Sequence, residues 1–95
     1  MRDYELAFIV RPNVDEEGIT GVVDKVTQLV GAGNGQVTSV DVWGRRTLAY
    51  PIKNYREGTY VLFQAKLSPS ALTELERNLK LSEEIIRYML IKVDD

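Results

Sequence analysis

The chain has 95 residues, 44% of them hydrophobic and 27% charged, with a formal net charge of −2. That length and composition fit one folded domain over residues 1–95 and exclude disorder, a second core and binding of nucleic acid by bulk charge. With no cysteine and no histidine, disulfides, thiolate chemistry, Cys-type zinc sites and the usual imidazole base are excluded as well.

Residues 2–11, RDYELAFIVR, open the chain as a strand. Tyr4, Leu6, Phe8 and Val10 point one way, and Glu5, Ala7 and Ile9 the other, until Pro12 and Asn13 stop the alternation. The spacing of Ile19, Val22, Val23, Val26, Leu29 and Val30 predicts a helix over 15–31, with Asp15 as its N-cap and Glu16 and Glu17 at the positive end of its dipole. GAGNG, residues 31–35, ends that helix.

Residues 36–52 read as strand throughout, interrupted at Gly44, where a bulge is expected. KNYREG, 53–58, reads as a polar turn and TYVLFQAKL, 59–67, as the returning strand of a long hairpin. Ser68-Pro69 predicts a capped helix start, followed by a Leu72, Leu75, Leu79 stripe up to Leu81. Residues 85–93 form the last strand. No run approaches the roughly 18 apolar residues that a membrane helix needs, and the strand-like start shows no signal or transit peptide. A cytosolic or organelle-matrix protein with no membrane partner is therefore expected.

The order β-α-β-β-α-β fits an α+β, ferredoxin-like split β-α-β fold. Its four-stranded antiparallel sheet has both helices on one face. The first and last strands are read as central and as a parallel pair. Arg2 and Lys92 then mark opposite sheet edges. The second sheet face carries Ala7, Ile9, Tyr60, Leu62, Met89 and Ile91, and an uncovered face this apolar points to a partner.

Enzymatic readings find little support. Most carboxylates fall on helix starts or exposed faces, where a solvated charge is usual, and GAGNG lacks the lysine and the strand-to-helix setting of a phosphate loop. The arginines are more informative. Arg45 and Arg46 follow Gly44, and a bulge there is expected to present both. Trp43 is expected to fix the bend by burying its ring. Lys53 and Arg56 sit in the hairpin turn, and Arg87 shares the last strand with Lys92. Arginine forks suit phosphate, and neighbouring aromatic rings offer stacking surfaces.

Several segments carry a family resemblance: the opening Met1-Arg2, Tyr4, Val10 and Pro12, the central WGRRTLAYPIK at 43–53, the Gly58 and Tyr60 pair, and the ending IIRYMLIK at 85–92. Together they closely resemble the S-six protein family of the bacterial small ribosomal subunit, across residues 1–93. The resemblance implies a ribosomal, non-enzymatic protein with no cofactor, monomeric in isolation. It further implies binding to the central domain of 16S ribosomal RNA, on the subunit platform, as a heterodimer with the small-subunit protein S-eighteen. By motif position it implies Arg2, Tyr4, Arg45, Arg46, Arg87 and Lys92 as RNA-side residues. Trp43, Leu48, Tyr50, Pro51 and Ile52 are implied as kink support and partner contact. Asp3 stands where the family commonly has a basic or neutral residue, which weakens the expected RNA contact at that end. Two other readings remain open: a regulatory module binding a small ligand at GAGNG, and a protein-interaction domain using the open sheet face.

Overall fold

The computed structural model describes residues 1–93. Its elements are β1 (Arg2–Val10), α1 (Glu16–Ala32), β2 (Gln36–Ile52), β3 (Tyr55–Leu67), a single 3-10 turn (Pro69–Ala71), α2 (Leu72–Leu81) and β4 (Ile85–Lys92). The sheet order is β2-β3-β1-β4, and every neighbouring pair is antiparallel. Each helix is a crossover that skips one strand. It returns the chain parallel to the strand it left, and the strand between runs the other way. The ferredoxin-like arrangement with both helices on one face is therefore present.

The expected central parallel pair is not. β1 and β3 are central, β4 is an edge, and β4 runs antiparallel to β1. Because Tyr4 stands opposite Lys92, Arg2 and Lys92 lie at the same end of the sheet rather than on opposite edges.

The main core lies between the helices and one sheet face. Leu6, Phe8, Val10, Val61, Phe63 and Leu67 meet Val22, Val26 and Val30 of α1 and Leu75 and Leu79 of α2. Phe8 and Phe63 touch at a centroid separation of 5.5 Å. Each such side chain contributes about 1.5–3 kcal/mol by leaving water. This burial holds a helix whose valines and internal glycines give it poor local propensity.

Asp15 caps α1 as its sequence position predicts, its Oδ1 accepting from the Gly18 N–H at 2.9 Å. Ser68 does not cap α2. It precedes the 3-10 turn, and its Oγ lies 2.9 Å from Ser70 Oγ instead. At the other end of α2 a polar chain ties the helix layer together. Lys25 Nζ donates to Ser82 Oγ at 3.1 Å, and Ser82 Oγ donates to Glu84 Oε1 at 3.3 Å.

The hairpin turn is shorter than the polar run 53–58 implied. It consists of Lys53 and Asn54, with φ of 50° and 70°, the mirror-image geometry that matches strand twist. Tyr55 to Gly58 are already strand. They look like turn residues because this part of the hairpin projects beyond the end of β1, where Val10 pairs with Thr59.

Candidate nucleic-acid and partner interface

The sheet's second face has no helix on it, and the hairpin shapes it. Val42 pairs with Val61 and Gly44 with Tyr60, so Trp43 is an extra residue and Gly44 takes a φ of +91°. The bulge expected at Gly44 is present. Its effect on the arginines differs from expectation. Arg45 pairs with Thr59 on the helix side of the sheet, and Arg46 pairs with Gly58 on the open side. Arg45 donates to the Pro12 carbonyl and forms an exposed ion pair with Glu57 at 3.3 Å. Arg46 is exposed, and among the described residues it forms no ion pair.

Trp43 does not bury its ring. It is 50% exposed, and its indole Nε1 donates to Asp41 Oδ2 at 3.0 Å. An extra residue at a bulge has no cross-strand partner to cover it.

Beyond Arg46 the hairpin folds over the open face. Between the pairs Thr47–Glu57 and Ile52–Tyr55, residues 48–51 face the single residue Arg56. That excess bends β2 inward and drives Leu48 into a second small core with Ile9 and Ile86, flanked by Ile52, Tyr55 and Tyr60. Gly58 makes the fold-over possible, since a Cβ there would collide with Ile9 Cγ2 and with the Val10 carbonyl. The result is a groove of about 270 Å³ lined by Ala7, Ile9, Tyr50, Tyr60, Arg87 and Met89, among others. Arg87 closes one side. Its guanidinium donates to the Tyr50 hydroxyl and sits 6.0 Å from the Tyr50 ring centre.

The expected site residues therefore separate. Tyr50 and Arg87 are exposed and line the groove, whereas Arg46 and Pro51 are exposed without lining it. Leu48 is 7% exposed and supports the groove from beneath, and Ile52 is half-buried beside it. Tyr4 is 7% exposed in the helix-side core, with no ring surface to offer a ligand. Arg2 and Lys92 lie at the far end of the sheet. The step from the Ile9–Arg87 pair to the Tyr4–Lys92 pair is five residues, roughly 17 Å. Asp3 is occupied by an ion pair with Lys66 at 3.2 Å.

Sequence reasoning missed the Arg87–Tyr50 clasp and the role of Gly58. Neither has a local signal, since each depends on the hairpin turning back over β1. The GAGNG segment offers no anion cradle. The N–H groups of Gly33, Asn34 and Gly35 all donate to the Val30 and Gly31 carbonyls at 3.0–3.2 Å.

A split β-α-β sheet with one covered face, and one open face carrying an apolar groove rimmed by arginine and tyrosine, defines a small domain of the ferredoxin-like class. Residues 3–92 match the family model described as Ribosomal protein S6. The chain is 46% identical over its whole length to the small ribosomal subunit protein bS6 of Moorella thermoacetica, covering 97% of that protein. It is 43% identical to the corresponding protein of Heliobacterium modesticaldum, covering 99% of it. The crystal structure of 30S ribosomal protein S6 from Thermotoga maritima superposes with a TM-score of 0.91 at 33% identity, over 97% of this chain and 87% of that one. The C-terminal domain of the Mycobacterium tuberculosis MgtC protein, at 14% identity and a TM-score of 0.65, shares the fold alone. The chain belongs to the ribosomal protein S6 family. It is a structural, non-enzymatic component of the small ribosomal subunit and resides with the ribosome in the cytoplasm.

Proposed function

We propose that this protein binds the central domain of 16S ribosomal RNA on the subunit platform, jointly with ribosomal protein S-eighteen, through one composite surface. The observation that carries the reading is Arg87 at the Tyr50 groove, with Arg46 on the same sheet face, which no helix covers. The apolar floor suits a protein partner, and the two guanidinium groups on that face suit phosphate. A chain of net charge −2 holds RNA weakly by itself, because affinity follows the number of phosphates neutralised. A basic partner seated on the groove supplies the missing charge. Arg2 and Lys92, at the far end, form a second and weaker RNA contact.

The test is RNA affinity of the protein–partner pair across a salt series. Arg46→Ala and Arg87→Ala each weaken binding and lower the salt slope by about 1. Arg77→Ala, on the solvent side of α2, leaves both unchanged. Wild-type affinity and slope for the Arg46 and Arg87 variants, in folded protein with the partner bound, would rule the reading out.

A further inference from the structure

GAGNG, residues 31–35, is the one motif singled out in the sequence that the proposed function leaves unused. Asn34-Gly35 is the chain's only asparagine–glycine pair; Asn13, Asn54 and Asn78 precede Val14, Tyr55 and Leu79. Asparagine is a chemically labile residue. A following glycine has no Cβ to shield the backbone nitrogen from the asparagine side-chain carbonyl carbon. Asn34 is exposed and adopts a φ of 63°.

In the folded chain the nucleophile is held. The Gly35 N–H donates to the Val30 carbonyl and the Asn34 N–H to the Gly31 carbonyl, both at 3.0 Å. Gly35 is also hemmed in. A Cβ on it would stand 2.8 Å from the Lys66 carbonyl and from Leu67 Cδ2, and 2.9 Å from Val30 Cγ1. The backbone there has little room to rotate towards the Asn34 side chain without leaving the cap.

We propose that Asn34 is a latent deamidation site, kept silent by the C-terminal cap of α1 and released when that cap opens. Once open, the Gly35 backbone nitrogen gives up its proton and attacks Asn34 Cγ. A carbon–nitrogen bond forms, the bond to the side-chain nitrogen breaks, and that nitrogen leaves as ammonia with the proton. Water then adds across one of the two imide bonds and yields aspartate or isoaspartate. Both products place a negative charge at the negative end of the helix dipole. Isoaspartate also lengthens the backbone by one carbon–carbon bond, about 1.5 Å, beside a residue that has no space for a methyl group. A chain that carries isoaspartate does not regain its original cap, so that product marks molecules that have spent time unfolded.

Full-length protein is incubated at mildly alkaline pH, folded in buffer and unfolded in urea, and ammonia loss is followed by peptide mapping with mass spectrometry. The expected result is reaction at Asn34 about tenfold or more faster in the unfolded chain, as expected for a step gated by local opening. Asn13, Asn54 and Asn78 stay intact over the same period. Rates at Asn34 equal in the two states would overturn the proposal, and so would an unreactive Asn34 in the unfolded chain.

Discussion

At the scale of single residues, two glycines of the hairpin do different jobs. Gly44 has open space where a Cβ would go, but its φ of +91° disfavours any L side chain. Gly58 has an ordinary φ and no space, because Ile9 and the Val10 carbonyl lie against it. Gly44→Ala therefore costs about 1–2 kcal/mol through backbone strain alone. Gly58→Ala costs at least about as much through overpacking, and it also displaces the hairpin from the open face. Urea denaturation measures the first effect. Loss of the Tyr50–Arg87 contact, seen in the Tyr50 ring resonances, separates the second, and an unchanged Tyr50 environment in Gly58→Ala would refute the fold-over account.

Trp43 gives a sharper contrast. Its half-exposed ring contributes little, so Trp43→Ala changes stability by no more than about 0.5 kcal/mol. Deleting residue 43 removes the bulge but keeps Gly44, Arg45 and Arg46 opposite Tyr60, Thr59 and Gly58, so Arg46 stays on the open face and Leu48 in its pocket with Ile9 and Ile86. The deletion is therefore expected to leave the far-UV circular dichroism of the folded protein close to that of the parent.

At the scale of elements, the contact between α1 and the α2–β4 connection depends on pH. The Glu84 carboxyl is held below its ordinary value. The largest cause is a backbone hydrogen bond within Glu84 itself, assisted by Lys25, Ser82 and Arg11 and opposed by partial burial. A depressed carboxyl contributes stability that is fully present above its unfolded value, about 4.3. That contribution is lost as pH falls through the lower folded value. Glu84→Gln is therefore expected to flatten the acid side of the stability–pH curve below about pH 5 and to leave the slope near neutrality unchanged. Thermal melts across that range check it.

Tyr88 shifts the opposite way. Burial, then its hydrogen bond to Glu76 at 3.0 Å, raise its hydroxyl, so its contribution is complete below about pH 10 and is lost as pH rises through the folded value.

The elements themselves were legible because their signals are local. The Val22, Val26, Val30 stripe, the Asp15 cap and the Gly44 interruption each lie within one turn or one strand. Strand order was not legible. Placing β4 at the edge and antiparallel to β1 follows from each crossover skipping a strand, which no residue of β4 announces. The arginine directions failed for a related reason. A bulge moves the whole alternation by one residue, so it gives Arg46 to the open face and Arg45 to Pro12 and Glu57, where the sequence reading expected both together.

For the whole molecule, the distribution of charge matters more than its total. α1 carries Glu16, Glu17 and Asp24, whereas Arg46, Lys53, Arg56 and Arg87 gather around the hairpin and the start of β4. The proposed composite surface thus has a basic hairpin end and an apolar groove on the open face, with the acidic α1 on the opposite face of the sheet. Arg2 and Lys92, about 17 Å along the sheet, reach RNA only on a binding surface at least that long. Their double alanine variant is expected to weaken RNA binding less than Arg87→Ala alone, in the same salt series.

The central claim is that the RNA surface is complete only when the partner is seated. The most direct measurement is the affinity of this protein for a central-domain 16S ribosomal RNA fragment, with and without S-eighteen, at several salt concentrations. The half-exposed Trp43 serves as the fluorescence reporter. The account predicts tight, salt-sensitive binding with the partner and none at comparable concentration without it. Equally tight binding by the protein alone would contradict the account.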